Sequence, residues 1–278
     1  MTIDGSTKLI PHVGYPTASF KAPMIYNPWF EAKGVNAVVV PMGVTAEAAG
    51  ETLPRIFALS NFHGALVTMP LKVLVVPMLD ATTATVKVAG SCNAVKRDES
   101  GRLVGDMFDG EGFVRGLKRK GCTVAGASAL VSGNGGVGCA IAASLALAGV
   151  ARLALFDVNA AAMEVLAARL REHYPQIDVT TGSNDPAGFD IVVNATPLGM
   201  NPNDPLPFDV TRIAASSFVG EVVMKQEITP LLAAARAKGC RTQIGLDMLF
   251  EMIPAYIEFF GFGHTTPEEL KAHARVHY

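Results

Sequence analysis

A lysine, an amide and a carboxylate stand at the edges of apolar segments in the first half of the chain. Lys72 closes the run Val67–Lys72, Asn93 follows it, and Asp109 lies within Gly105–Gly110. Withdrawal from water lowers the pKa of a lysine, and a nearby carboxylate raises it again. This opposition can set a proton-transfer group for work near neutral pH. We therefore predict that these three residues converge on one polyhydroxy substrate.

A glycine-rich segment lies between a predicted strand, 127–132, and a predicted apolar helix, 139–149. In a dinucleotide-binding βαβ unit, such glycines permit a tight turn and close approach of the pyrophosphate, and the helix N-terminus offers N–H groups to the phosphates. The pattern G-x-G-x-x-G gains weight from this strand-and-helix context. The residues assigned to this cofactor site are Gly133, Asn134, Gly135, Gly136, Val137 and Gly138.

Asp157 ends the next predicted strand, 152–156. A carboxylate about 20 residues beyond the glycine pattern accepts hydrogen bonds from the adenosine ribose. A 2′-phosphate at the same place would meet like-charge repulsion, and Val158–Ala160 supplies no arginine to offset it. The sequence therefore favours NAD over NADP.

The length and composition indicate how these residues are carried. A chain of 278 residues, half of them apolar and 17% charged, suits a two-domain α/β protein with a large core. Predicted strands at 36–41 and 64–70 flank a predicted helix at 46–58, which favours a parallel sheet. Pro70 would end its strand and place Lys72 at a carboxyl edge, where open α/β sheets bind ligands.

Composition also excludes several classes of function. The net charge is −2 and no long basic run occurs, so no nucleic acid partner is expected. No apolar stretch is long enough for a spanning helix and no leader is visible, so we expect a cytoplasmic protein with no membrane partner. The four cysteines match no zinc spacing, and no metal is predicted.

Together these segments resemble the shikimate/quinate dehydrogenase family over nearly the full chain, from Gly14 to about Gly261. The resemblance implies that Lys72 and Asp109 are the catalytic pair and that Thr68 and Asn93 bind substrate hydroxyls. It also implies an N-terminal α/β substrate domain and a Rossmann-type domain. We predict residues 1–109 with 246–278 for the first domain and 110–245 for the second.

Further matches concern the cofactor. The segment Asn194–Met200, Asn-Ala-Thr-Pro-Leu-Gly-Met, is similar to a family loop that approaches the nicotinamide through residues such as Thr196. The resemblance also places backbone groups of Val222 and Gly245, and the side chain of Met248, beside the nicotinamide.

The chain departs from the family in the substrate shell. Where family members carry two hydroxyl residues that hold a substrate carboxylate, this chain has Phe20 and Ala22. Ser19 or Lys21 is an alternative anchor. Three further substrate-side positions also differ from the family, and they are Glu221, Met224 and Met252.

Three hypotheses follow. The first is an NAD(P)-dependent oxidoreductase, with NAD favoured, that transfers hydride reversibly to or from a ring hydroxyl of a shikimate- or quinate-related cyclic compound. The second is shikimate dehydrogenase proper, and the third is a non-catalytic dinucleotide-binding sensor. A proton relay would be of no use to a sensor, so retention of Lys72 and Asp109 favours an enzyme. A homodimer is left open.

Overall fold

The computed structural model describes residues 2–201 and 203–276 as an alternation of strands and helices. The strands are β1 (Lys8–Gly14), β2 (Ala37–Gly43), β3 (Gly64–Val67), β4 (Ala81–Thr82), β5 (Ala94–Arg97), β6 (Leu103–Asp106), β7 (Ser128–Ser132), β8 (Arg152–Phe156), β9 (Asp178–Thr181), β10 (Ile191–Asn194), β11 (Phe218–Glu221) and β12 (Arg241–Gln243). The helices are α1 (Pro23–Lys33), α2 (Ala49–Phe57), α3 (Ala84–Ala89), α4 (Asp109–Arg119), α5 (Gly136–Leu147), α6 (Ala160–His173), α7 (Pro230–Ala237), α8 (Gly245–Phe259) and α9 (Pro267–His273).

The chain divides into two compact α/β units. Unit 1 comprises the residues up to Val86, Gly90–Phe108, and the C-terminal part from Ile253. Unit 2 comprises Lys87–Ala89 and Asp109–Met252. Asp109 and residues 246–252 therefore fall in unit 2, whereas the predicted boundaries assign them to the first domain.

Unit 1 contains a six-stranded sheet in the order β2-β1-β3-β5-β6-β4. The pairs β1–β2 and β1–β3 are parallel, but β5 is antiparallel to both β3 and β6. The expectation of parallel strands is therefore confirmed for the two strands it rested on, β2 and β3, whereas β5 departs from it. A tight connection joins β5 to β6, and it is closed by a hydrogen bond from Asp98 N–H to the carbonyl of Arg102 over 2.9 Å. Strands joined so closely must run antiparallel.

The C-terminal part of the chain completes unit 1 through hydrogen bonds to distant residues. Lys96 Nζ donates to the carbonyl of Phe259 over 2.7 Å, and the imidazole Nε2 of His63 lies 2.7 Å from the carbonyl of Phe260. His63 is thus a structural histidine with a hydrogen-bond partner in the C-terminal part of unit 1.

Unit 2 contains a fully parallel six-stranded sheet in the order β12-β11-β10-β7-β8-β9. Successive strands are added to one side of β7 up to β9 and then to its other side from β10, so the strand order reverses between β7 and β10. Doubly wound sheets bind ligands at this switch point. The predicted strand over 152–156 is confirmed as β8. Helix α5 begins at Gly136, earlier than predicted, because residues of the glycine-rich loop form its first turn.

Buried apolar side chains on both faces of this parallel sheet explain why its strands have few polar residues. Leu130 and Val192 lie in one core cluster, and Val131 and Val193 lie in the other. Within the described ranges, no helix combines the length and the apolar character needed to cross a bilayer.

Candidate functional site

Lys72 lies just beyond the end of β3, in unit 1. The strand ends at Val67, earlier than predicted, because the chain turns where Leu71 N–H donates to the carbonyl of Thr68 over 2.8 Å. Lys72 is half-buried, and its own carbonyl accepts a hydrogen bond from Cys92 N–H over 2.8 Å. This bond brings the lysine beside the segment that leads into β5.

Asn93 is completely buried at the start of that segment. Its side-chain Oδ1 accepts from the N–H of Phe108 over 2.9 Å. Its carbonyl accepts from Val67 N–H over 2.8 Å and from the hydroxyl of Tyr256 over 3.3 Å. Asn93 therefore ties together the end of β3, the chain after β6 and helix α8. Such fixed neighbours hold an amide in one orientation.

Thr68 lies between the ends of β3 and β1. Its N–H donates to the carbonyl of Val13 over 2.9 Å. A Cβ placed on Gly14 would lie 2.4 Å from Thr68 Cγ2 and 2.7 Å from the carbonyl oxygen of Met69. Any side chain at position 14 would therefore displace backbone. Within unit 1 the structure thus brings Thr68, Lys72 and Asn93 to one carboxyl edge of the sheet.

Asp109 is the first residue of α4 in unit 2 and is 4% exposed. A carboxylate in the first turn of a helix is favoured by the helix dipole. The next residue, Gly110, packs so tightly that a Cβ there would lie 2.0 Å from the carbonyl oxygen of Ala140 in α5. The pairing of Asp109 with Lys72 in catalysis stays a prediction.

The altered N-terminal segment contains an aromatic contact that sequence reasoning missed. The rings of His12 and Phe20 stack with centroids 4.0 Å apart and an interplanar angle of 26°. Phe20 Cζ would lie 3.2 Å from a Cβ on Gly14, so Phe20 reaches the surface beside Thr68. The available signal was a histidine in the apolar run directly before Gly14. The alternative anchor Lys21 is half-buried.

The His12 imidazole is neutral at pH 7. Burial is the first cause that lowers its pKa, and the positive charge of Lys72 is the second, bringing it to about 4. Lys72 therefore lies within electrostatic reach of this ring. Among the described residues, His12 Nδ1 is buried without a hydrogen-bond partner.

In unit 2, the glycine-rich loop leads from β7 into α5. Gly133 has a φ of +92°, a backbone conformation that residues with a side chain rarely adopt. A Cβ on Gly138 would lie 1.8 Å from the carbonyl oxygen of Gly133, so only glycine permits this turn. Gly135 and Gly136 are exposed, with open space where a side chain would stand, and Val137 beside them is half-buried.

Asn134 and Asp157 complete the loop. The Asp157 carboxylate accepts from Asn134 N–H over 2.5 Å and from Asn159 N–H over 2.8 Å. The Asn134 side chain is buried, and neither of its amide atoms has a partner within the described part of the chain. The open glycine surface, the helix N-terminus and this unsatisfied amide fit the phosphates and ribose of a dinucleotide.

The predicted nicotinamide loop begins at Asn194, at the end of β10. Asn194 Oδ1 accepts from Thr196 N–H over 3.1 Å and from the Thr196 hydroxyl over 2.6 Å. A Cβ on Gly133 would lie 2.7 Å from the nitrogen of Thr196, so the two loops are adjacent. Thr196 thus lies beside the glycine-rich loop.

Val222 and Gly245 are also neighbours, because a Cβ on Gly245 would lie 3.0 Å from the carbonyl carbon of Val222. Val222 N–H donates to the carbonyl of Asn194 over 3.2 Å, which joins this pair to the same edge of the sheet. Met248 is almost fully buried and packs in the hydrophobic core of unit 2. Its place beside a nicotinamide stays a prediction.

Glu221 is a buried carboxyl at the end of β11 that hydrogen-bonds to the start of α7. It is the last residue of β11, paired in register with Asn194, and its Oε2 accepts from the hydroxyl of Thr229 over 2.8 Å. Burial raises the pKa of Glu221 to about 7, against the hydrogen bonds from Thr229 and Asn194. Thr229 in turn caps α7 by accepting from Leu232 N–H over 3.3 Å. The sequence identified Glu221 as a departure from the family, but not this role.

Among the described residues, no group of histidine, cysteine, aspartate and glutamate side chains could hold a metal ion. The candidate site residues form two groups, one around Lys72 in unit 1 and one around the glycine-rich loop in unit 2.

Comparison with known proteins gives three kinds of similarity. A family model for the shikimate dehydrogenase substrate binding domain matches residues 13–95. The shikimate dehydrogenase (NADP(+)) of Rhodospirillum rubrum is 32% identical over 278 residues, covering 97% of this chain and 98% of that protein.

Two solved structures are also similar over almost their full lengths. Shikimate 5-dehydrogenase from Listeria monocytogenes, in complex with shikimate and NAD, has a TM-score of 0.91 at 26% identity and covers 98% of each chain. The ligand-free form of 5-ketofructose reductase from a Gluconobacter strain has a TM-score of 0.87 at 26% identity, covering 96% of this chain and 97% of that one.

Proposed function

Because this chain belongs to the shikimate dehydrogenase family, whose members are NAD(P)-dependent oxidoreductases acting on a CH–OH group, we propose that it transfers hydride between a nicotinamide dinucleotide and a ring carbon of a shikimate- or quinate-related cyclic compound. The observation that carries the proposal is the convergence of Lys72, Thr68 and Asn93 at one edge of the unit 1 sheet.

The proton chemistry belongs to Lys72. In the oxidation direction, the substrate carbinol carbon gives up a hydride and its hydroxyl gives up a proton, which leaves a ketone. The dinucleotide, when bound, takes the hydride. The neutral amine of Lys72 takes the proton, and in reduction the protonated amine returns it to the oxygen. By the family resemblance, Asp109 is the second member of the proposed catalytic pair.

Thr68 and Asn93 orient the ring. Thr68 offers a hydroxyl and Asn93 an amide, which suit the hydroxyl groups of a cyclic polyol. Because the hydrogen bonds of Asn93 to Phe108, Val67 and Tyr256 fix its position, it needs little rearrangement to hold a substrate.

The cofactor is held by unit 2, and NAD is the favoured form. Asp157, whose carboxylate accepts from Asn134 N–H, is the proposed ribose-binding carboxylate, and the following residues 158–160, Val-Asn-Ala, supply no arginine for a 2′-phosphate. The Rhodospirillum rubrum relative carries NADP(+) in its name, whereas the Listeria monocytogenes structure contains NAD. The family therefore includes both cofactors, and Asp157 is the residue of this chain that favours NAD.

The NAD preference is tested by the ratio of kcat/KM for NAD to that for NADP. We expect the ratio to exceed 10 in the wild type and to fall at least 10-fold in Asp157→Ser, since a repulsion of this kind contributes about 1.4 kcal/mol or more. Asp178→Ser, a change at an exposed position of the same unit, is the control. A wild type that prefers NADP would overturn this part of the proposal.

The catalytic proposal is tested by Lys72→Ala. We expect turnover of shikimate, quinate and related cyclic alcohols to fall roughly 1,000-fold, because general acid–base groups typically contribute 100-fold to 10,000-fold. NAD affinity, measured by calorimetry, should stay within a factor of two. Lys87→Ala removes the same charge from an exposed position on α3 and should leave turnover unchanged.

Two outcomes would count against the proposal. An undiminished rate in Lys72→Ala would remove the lysine from the mechanism. A wild type that binds NAD tightly but oxidises no cyclic alcohol would favour the sensor hypothesis instead.

A further inference from the structure

The carboxyl end of β1 carries an aromatic pair for which the proposed chemistry has no use. His12 and Gly14 are alternate residues of the strand, so they face the same side of the sheet. The ring of Phe20 stacks on His12 at 4.0 Å and extends to within 3.2 Å of the place where a Gly14 Cβ would stand. Thr68 lies against the same glycine. Phe20 therefore covers the surface next to a proposed substrate-binding residue.

An anionic group would find poor partners in this segment. Phe20 presents ring carbons and Ala22 a methyl group, and neither side chain can donate a hydrogen bond. An aromatic face suits the apolar carbon side of a ring better than a charged oxygen, because the ring face carries partial negative charge. The Phe20 and Ala22 side chains therefore offer a carboxylate no donor, and the Phe20 ring suits the carbon face of an uncharged ring.

His12 supplies no compensating charge. Burial and the charge of Lys72 keep its imidazole neutral at pH 7, so it cannot form an ion pair with a carboxylate. Its Nδ1 is buried without a partner among the residues that the structure describes, so the ring acts here through its stack on Phe20.

We propose that the His12–Phe20 pair selects a cyclic polyhydroxy substrate that carries no carboxylate, a sugar-like ring alcohol or its ketone. The inference rests on the proposed function and adds the substrate class to it. Phe20 is the residue that disfavours the anion. His12 is a positioning residue that holds the Phe20 ring against Gly14.

Shikimate and methyl shikimate provide a matched pair of probes, because they share the ring and its hydroxyls and differ in charge. We expect the wild type to show a kcat/KM at least 10-fold higher for the ester than for the acid. In Phe20→Ser/Ala22→Ser, which supplies two hydroxyl groups, the ratio should move by at least roughly 100-fold in favour of the acid, because hydrogen bonds to a charged group are stronger than those between neutral groups.

Unit 1 offers a matched control for the aromatic substitution. Phe262 also contacts a histidine ring, His63, in a tilted arrangement with centroids 4.8 Å apart. Phe262→Ser makes the same chemical change away from the Lys72 edge and should leave the ester-to-acid ratio unchanged. Because the ratio is independent of the amount of folded protein, partial loss of stability does not obscure the comparison.

The positioning role of His12 has its own readout. His12→Leu removes the stack and should raise KM for the ester several-fold with little change in kcat. His12→Phe retains an aromatic ring and should restore KM. Equal KM values in both variants would overturn the positioning role.

The outcomes separate the two proposals. A wild type that prefers shikimate, with that preference lost in Lys21→Met, would assign the carboxylate to Lys21 and overturn the inference while the proposed function stands. If neither probe is turned over, myo-inositol and quinate repeat the comparison of an uncharged ring with a charged one. Failure of every cyclic alcohol with both dinucleotides would overturn the proposed function, and the inference with it.

Discussion

The carboxyl edges of the two sheets are built from different parts of the chain. In unit 2 the edge is formed largely by backbone, because Gly133 and Gly138 approach each other so closely that a side chain at position 138 would overlap a carbonyl oxygen. In unit 1 the edge is formed by side chains, since Phe20 stacks on His12 and the methyl of Thr68 fills the space beside Gly14. An edge built from closely packed backbone tolerates no side chain at its tightest glycines, whereas side chains at the other edge can be exchanged while the fold is kept.

The largest effect should come from breaking the backbone edge. Gly138→Ala would force the loop apart, and we expect NAD affinity to fall roughly 100-fold, or close to 3 kcal/mol, together with a lower melting temperature. Gly135→Ala has open space for its methyl group, so it should retain the melting temperature while NAD binds more weakly. Calorimetry and thermal unfolding measure both quantities. Equal behaviour of the two variants would contradict the steric account of the loop.

The buried carboxyl of unit 2 should produce the next largest effect. Glu221 has an ordinary pKa of 4.5 and a folded pKa of about 7. Between these values the folded state binds more protons, so the contribution of Glu221 is fully present below pH 4.5 and is lost as pH rises through about 7. Relative to Glu221→Gln, the free energy of unfolding of the wild type should fall by roughly 2–3 kcal/mol between pH 4.5 and 8.

Urea unfolding at several pH values measures this difference. Glu164→Gln, which removes an exposed carboxyl from α6 of the same unit, should show no such trend. A constant difference between wild type and Glu221→Gln over this pH range would show that the buried carboxyl does not take up a proton on folding.

The smallest effect concerns the side-chain edge of unit 1. We expect NMR titration to give His12 a pKa near 4, and Lys72→Met to raise it, because one of the two causes of its depression is removed. The value should stay below 6.5, since burial is the larger cause. His63, whose pKa is lowered by burial and by Lys8 and Lys96, serves as the internal control and should not move. A wild-type His12 that titrates near 6.5 would contradict the buried stack.

The features of unit 2 that depend on the course of the backbone could be predicted from the sequence. Glycine has no side chain, so Gly133, Gly135 and Gly138 indicate a tight turn and a close approach when they lie between a strand and a helix, as they do here. The strand over 152–156 was equally clear, because a parallel strand buried on both faces is continuously apolar. Asp157 followed from its position after that strand.

The side-chain contacts were not predictable in the same way. Phe20 was recognised as a departure from the family, but its partner His12 lies on a different element, and only the folded chain brings the rings together. The antiparallel placement of β5 depends on hydrogen bonds between segments that alternation of strands and helices does not specify. Asn93 was predicted to bind substrate, whereas its bonds to Phe108 and Tyr256 could be found only in three dimensions.

The division of the chain has a consequence for protein synthesis. Unit 2 is almost one continuous stretch, so it can begin to fold as soon as Met252 has left the ribosome. Unit 1 must wait longer, because Lys96 and His63 have hydrogen-bond partners in Phe259 and Phe260, which are translated after Met252. The unit that is translated first is therefore completed last, and a nascent chain that stops short of these two phenylalanines contains an incomplete unit 1 and a complete unit 2.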